Sequence, residues 1–161
     1  MNAVVEIKPE RADHPQVVAL LEALDRYLGE LYEPAANHIL SVSELLAPDI
    51  GFFVARQGDT IVGTGAVRRM PGEADTAGQP YGEVKRMYVD PAVRGQRIGE
   101  RLLQTLEASL KERGVALALL ETGSDQRDAV RLYERCGYVR RGAFGGYPDN
   151  GLSLFMSKAL A

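Results

Sequence analysis

The sequence predicts one α/β domain built on a mixed sheet, and three observations carry that prediction. Runs with strand character precede, separate and follow runs with helical periodicity, which is the order of an α/β layer rather than of a bundle or a sandwich. The 161 residues are 45% apolar and 25% charged, enough for one buried core and too short for a second. Gly and Pro fall between the periodic runs, where turns are needed.

Val4 to Lys8 reads as a first strand. Asp13 opens a helix whose apolar residues Val17, Leu20, Leu21, Leu24, Leu28 and Leu31 recur at helical spacing and form an inward face. A short second helix is predicted from Ser41 to Ala47, because Ser41 with Glu44 three residues on makes a capping box and Pro48 ends the run. Two strands follow, Gly51 to Arg56 and Thr60 to Met70, with Gln57-Gly58-Asp59 as the hairpin turn. Pro71 to Pro80 is a loop, and strand four covers Tyr81 to Val89. Asp90-Pro91 stops that strand, since proline cannot continue a central ladder. Helix three is predicted over Arg97 to Arg113 and closed by Gly114. Strand five runs from Val115 to Thr122, and Ser124 or Asp125 caps a fourth helix that Gly137 ends. Tyr138 to Arg141 and Leu152 to Lys158 form a last strand pair around the glycine-rich AFGGYPDNG.

Composition excludes several classes of function. A formal net charge of −3 argues against a nucleic-acid-binding surface, which needs clustered excess Lys and Arg, and it suits a cationic substrate. Charges break every apolar run, so no membrane span is expected, and the opening MNAVVEIKPERADHP lacks the cationic-then-apolar pattern of a secretory leader. A single Cys136 forms no internal disulfide, which suits a reducing cytoplasm; with only His14 and His38 beside it, no metal site is expected.

The stretch with the most chemistry is Val84 to Leu103, VKRMYVDPAVRGQRIGERLL, an extended segment that passes through an Arg/Gly-rich turn into an amphipathic helix. The first amides of a helix lack internal partners and carry the positive end of its dipole, so this junction suits a pyrophosphate. No Lys-Ser or Lys-Thr follows the glycines, which excludes a Walker loop, and the dinucleotide fingerprint is absent. The turn resembles the acyl-coenzyme-A signature of the GNAT superfamily of N-acetyltransferases, with Arg94 and Gly99 at its two ends. Arg97 stands where that family has its middle glycine. Helical dihedrals need no glycine, so the backbone shape is expected to survive, with the guanidinium turned toward phosphate.

A second stretch, LETGSDQRDAVRLYERCGY from Leu120 to Tyr138, resembles the GNAT segment after the fifth strand, with Gln126 where the family commonly has Asn. The likeness spans nearly the whole chain and is strongest from Glu83 to Tyr138. It implies a single GNAT-like domain over residues 1–161, with a mixed, largely antiparallel central sheet flanked by helices. It also implies acetyl-CoA as acyl donor, a primary amine as acceptor, direct transfer in a ternary complex, and a homodimer as the usual assembly. Met87, Tyr88 and Val89, the turn from Arg94 through Gly95, Gln96, Arg97, Ile98 and Gly99 to Glu100, then Gln126 and Tyr133, are the implied cofactor-binding residues.

Acetyl transfer needs a neutral amine, and a lysine-like ammonium has a pKa of about 10.4, so a base must remove a proton. Glu83 at the start of strand four and Glu121 at the end of strand five both occupy positions where GNAT enzymes carry a base, with Glu83 the first choice. The bland reading of each is an ordinary strand-end carboxylate. Tyr133 resembles the family's general acid; periodicity alone would make it a core aromatic. A backbone N–H freed where strand four splays from strand five would meet the thioester oxygen.

Other residues carry less. Cys136 reads as a small buried apolar group. Alternation sends Lys85 and Arg86 to opposite faces of one strand, which argues against a shared anion site. Tyr27, Glu30, Tyr32 and Glu33, with the loop around Tyr147, are candidates for the acceptor pocket. Two rival functions stand beside the enzyme: a non-catalytic acyl-CoA sensor on the same scaffold, and a nucleotide site.

Overall fold

The computed structural model describes residues 4–32 and 39–160. Its strands are β1 (Val5–Pro9), β2 (Ile50–Gln57), β3 (Thr60–Met70), β4 (Tyr81–Val89), β5 (Leu117–Gly123), β6 (Val139–Arg141) and β7 (Ser153–Ala159). Its helices are α1 (Pro15–Leu31), α2 (Val42–Leu45), α3 (Ile98–Glu112) and α4 (Arg127–Arg135). The described strands make one open seven-stranded sheet in the order β1-β2-β3-β4-β5-β7-β6. Neighbours are antiparallel except β4 and β5, which run parallel, so the α/β, mixed and largely antiparallel sheet expected from sequence is the one observed.

Most predicted boundaries hold for the predicted reasons. Ser41 accepts from the Glu44 amide while the Glu44 side chain accepts from the Ser41 amide, closing the capping box. Gly114 and Gly137 follow α3 and α4 at φ +73° and +96°, the left-handed conformation that lets the next amides turn back onto the last helical carbonyls.

Three helix starts differ. α1 begins at Pro15 with His14 as cap, not Asp13: His14 Nδ1 accepts from the Gln16 amide at 3.1 Å, and proline suits the first helical position because the amide it lacks would have no partner. α4 is capped at Gln126 rather than at Ser124 or Asp125. The chain is still turning there, with the Ser124 amide donating to Leu152 and that of Gln126 to Gly123. Arg97 lies outside α3 at φ +60°, ψ +26°, so the position is not helical as supposed. It demands the left-handed region that glycine enters freely and arginine enters at a cost of about 1 kcal/mol.

Alternation along the strands sorts the core onto two faces. Phe52, Val54 and Ala66 meet Val17 and Leu21 of α1 on one side. Ala55 and Val62 meet Ile98 and Leu102, and Val67 and Val84 meet Leu103 and Leu106 of α3, where Tyr133 of α4 also packs. Tyr81, Leu119, Phe144 and Phe155 form a further cluster that seats the segment before β7.

Two irregularities in β4 build the site. Its pairing with β3 slips, Ala66 facing Lys85 but Thr64 facing Tyr88, so an extra residue bulges near Arg86, which adopts φ +56°. Its pairing with β5 covers only Gly82 with Ala118 and Glu83 with Leu119. Beyond Glu83 the parallel strands diverge, and the gap opens between the chain ends of β4 and β5.

Candidate active site

Two cavities meet at this divergence. The larger, about 640 Å³, runs from the end of β4 to the N-terminus of α3 and along α4. Met87, Tyr88, Val89, Arg94, Gly95, Arg97, Ile98, Gly99, Glu100, Gln126 and Tyr133 all line it. Of the cofactor-binding residues expected from sequence, Gln96 alone is not in its wall; its side chain accepts from Gln57 at 3.3 Å. Arg94 is held at the turn, its Nε donating to the Val89 carbonyl at 3.0 Å and its guanidinium over the Tyr88 ring. Arg97 is 81% exposed in its side chain and lies 3.7 Å from Glu100 Oε2. That oxygen is buried with no hydrogen bond among the described residues. Gly99 lets α3 and α4 approach: a Cβ there would meet Leu132 Cδ2 at 3.1 Å. Free helix-terminal amides, two arginines and a long cavity fit the diphosphate and extended arm of a coenzyme A thioester.

The smaller cavity, about 110 Å³, lies on the other side of Met87, between α1, β4 and β5. Leu24, Leu28, Tyr32, Ile39 and Leu152 contribute to its walls, with Lys85, Arg86, Glu121 and Ser153. Leu24, Met87, Gln126 and Tyr133 belong to both cavities and form the partition between them.

The candidate acid and bases differ in their surroundings. Tyr133 is 6% exposed, and among the described residues nothing hydrogen-bonds its hydroxyl; burial, chiefly, pushes its pKa well above the ordinary tyrosine value. Glu121 lines the smaller cavity and accepts from Ser153 Oγ at 2.6 Å. Glu83 is 4% exposed and lies in neither wall. Tyr147 Oη donates to its Oε2 at 2.5 Å, and Lys85 Nζ donates to Tyr147 Oη at 2.9 Å and to Glu83 at 3.3 Å. Burial and then the Glu83 charge raise the Tyr147 pKa, so that hydroxyl keeps its proton.

Two sequence expectations need correction here. Lys85 and Arg86 do not part to opposite sides: the bulge at Arg86 breaks the alternation, and both line the smaller cavity. Tyr27, expected in an acceptor pocket with Tyr32, faces the larger cavity rather than the smaller one that Tyr32 lines, while Glu30 is exposed and outside both. Tyr32 lines the smaller cavity as expected; Tyr147 is in neither wall and instead bonds Lys85 and Glu83, and Glu33 lies outside the described residues. Cys136 is half-buried against the core beside α3, and burial raises its thiol pKa, which favours the protonated form. The sequence reading missed Leu24 of α1 and Ala129, Arg131 and Leu132 of α4 as cavity walls. The i, i+3 spacing of Ala129 and Leu132 beside Tyr133 was the available signal.

This arrangement has close counterparts. A sequence profile of the Acetyltransferase (GNAT) family matches residues 17–138. The chain belongs to the GNAT acetyltransferases. It is 47% identical over 156 residues to the IAA acetyltransferase of Azospirillum brasilense, covering 97% of this chain and 98% of that one. A crystal structure assigned as an acyl-CoA N-acyltransferase from Klebsiella pneumoniae superposes with a TM-score of 0.80 at 34% identity, over 99% of this chain and 100% of that one. The PaiA N-acetyltransferase of Thermoplasma acidophilum, solved in complex with coenzyme A, shares the fold with a TM-score of 0.74 at 19% identity, covering 97% and 99%. The protein is therefore an acetyltransferase enzyme of this family, which sets aside the non-catalytic sensor. No helix among the described residues is long and apolar enough to cross a membrane.

Proposed function

We propose that this GNAT enzyme moves an acetyl group from acetyl-CoA to the primary amine of a small molecule, by direct attack in a ternary complex. The observation that carries the reading is the shared partition: Tyr133, a buried proton donor, faces both the long cavity and the small one that contains Glu121.

The thioester supplies the acyl group and a thiolate leaving group. Amides at the start of α3, with Arg94 and Arg97, hold the diphosphate, and Ala129, Leu132 and Gln126 flank the pantetheine arm. The Glu100 carboxylate contributes no ligand to phosphate; its place is as counter-ion to Arg97. The β4 segment Met87 to Val89, released from β5, presents main-chain donors toward the thioester oxygen. Glu121 receives the amine proton because it stands in the acceptor cavity. Glu83 acts on that cavity indirectly, through Tyr147 and Lys85. Tyr133 keeps its proton at neutral pH and gives it to the departing sulfur.

A calorimetric titration with acetyl-CoA, run beside coenzyme A, ATP and NAD, tests the donor site. Selective binding of the two coenzyme A forms is expected, and binding of ATP or NAD instead would replace the donor. An amine panel with acetyl-CoA then reads turnover, and acetyl-CoA binding without acetylation of any amine would overturn the acceptor class.

A further inference from the structure

We infer that the acceptor is a small amino carboxylate, seated with its amine at Glu121 and its acid group at Lys85 and Arg86. This rests on the reading of the smaller cavity as the acceptor site. The two cations are neighbours on β4 and would diverge on a regular strand; the bulge at Arg86 brings both to one cavity. Each is a buried charge, with side-chain exposures of 9% and 5%. Their counter-ions lie behind them: Glu83 pairs with Lys85 and Asp25 with Arg86 at 2.6 Å, and neither carboxylate is in the cavity wall. Among the described residues, the charged groups that form the wall are Lys85 and Arg86 on β4 and Glu121 on β5. One wall thus carries both positive and negative groups, the complement of a zwitterion.

Arg86 also holds a donor in reserve. Its Nη1 reaches Asp25 and its Nη2 the Leu21 carbonyl, while its Nε is buried with no hydrogen-bond partner among the described residues. A buried guanidinium N–H without an acceptor is the kind of group an entering carboxylate satisfies. The pairs with Glu83, Tyr147 and Asp25 fix both cations in place before the acceptor arrives. A volume of about 110 Å³ bounded by Leu24, Leu28 and Leu152 suits a compact molecule with an apolar side chain.

The test compares leucine and phenylalanine with their carboxamides, which differ only in the acid group. In steady-state assays with acetyl-CoA, the acids should show kcat/KM higher by about tenfold or more, the size expected of hydrogen bonds to a charged group. The carboxamide's amine is the weaker base and offers more neutral amine, so this preference runs against the intrinsic bias. Lys85→Met should lower the ratio by about threefold or more, the preference that is left being Arg86's; it is chosen over an Arg86 variant because Arg86 occupies the bulge at φ +56°. Equal rates, or a preference for the carboxamides, would overturn the inference. Calorimetry of the same pairs on the coenzyme-A-loaded protein separates this inference from the transfer reading. Tighter binding of the acids with no acetylation would sink amine transfer and keep the carboxylate site; acetylation without acid preference would do the reverse.

Discussion

The two cavities share a partition and differ in how the chain builds them. The larger draws mainly on two short stretches, 87–100 and 126–135, each a strand end or turn followed by a helix start. The smaller draws on α1, the start of β4's divergence, the end of β5 and the segment before β7, elements far apart in sequence. A site made of contiguous residues carries its geometry in local backbone rules. A site made of long-range contacts depends on where bulges and loops come to rest.

If Tyr133 serves both sides of the partition, removing its hydroxyl should produce the largest loss. Tyr133→Phe is expected to lower kcat by about 100-fold or more with acetyl-CoA affinity nearly unchanged, read by steady-state kinetics and calorimetry together. A matching pH prediction follows from burial. Because the Tyr133 pKa is raised above its ordinary value of 10.0, the proton is present throughout the neutral and mildly alkaline range. The kcat profile should show no falling limb below pH 10 that disappears in Tyr133→Phe.

The next largest effect divides the two carboxylates. Glu121→Gln should cost kcat about 100-fold, and Glu83→Gln roughly tenfold, since only Glu121 stands in the acceptor cavity. The opposite order in a pH-resolved assay would restore Glu83 as the direct base.

Gly123 offers a change confined to the acceptor side. A Cβ there would collide with the hydroxyl end of Tyr32, which also accepts from the Asp125 amide at 3.2 Å. Gly123→Ala is expected to raise the acceptor KM about tenfold by displacing Tyr32, while the acetyl-CoA KM stays within about twofold. Equal changes in both would show the partition to be less independent than its geometry indicates.

The smallest effect belongs to the cofactor side. Arg97→Gly relieves the left-handed strain and should stabilise the protein by up to about 1 kcal/mol in urea denaturation. If the exposed guanidinium helps hold diphosphate, the same variant binds acetyl-CoA a few-fold more weakly, most visibly at low salt.

The amino-acid sequence by itself determined the element order, the capping box at Ser41, the glycine stops after α3 and α4, and the strand-to-helix junction at Arg94 to Gly99. Each of these follows from dihedral preference, unpaired helix-end amides or hydrophobic period, all of which act within a few residues. Tertiary structure decided the rest. Arg97's left-handed dihedrals became visible only once the start of α3 was placed. The side on which Arg86 falls depends on a one-residue slip between β3 and β4, and strict alternation along a single strand cannot encode a slip against its neighbour. The contrast between Glu83 and Glu121 was equally invisible, because both end up on the same face of the sheet. What distinguishes them is their surroundings: Tyr147, sixty-four residues from Glu83, donates its hydroxyl to Glu83, which is in neither cavity wall, whereas Glu121 lines the smaller cavity.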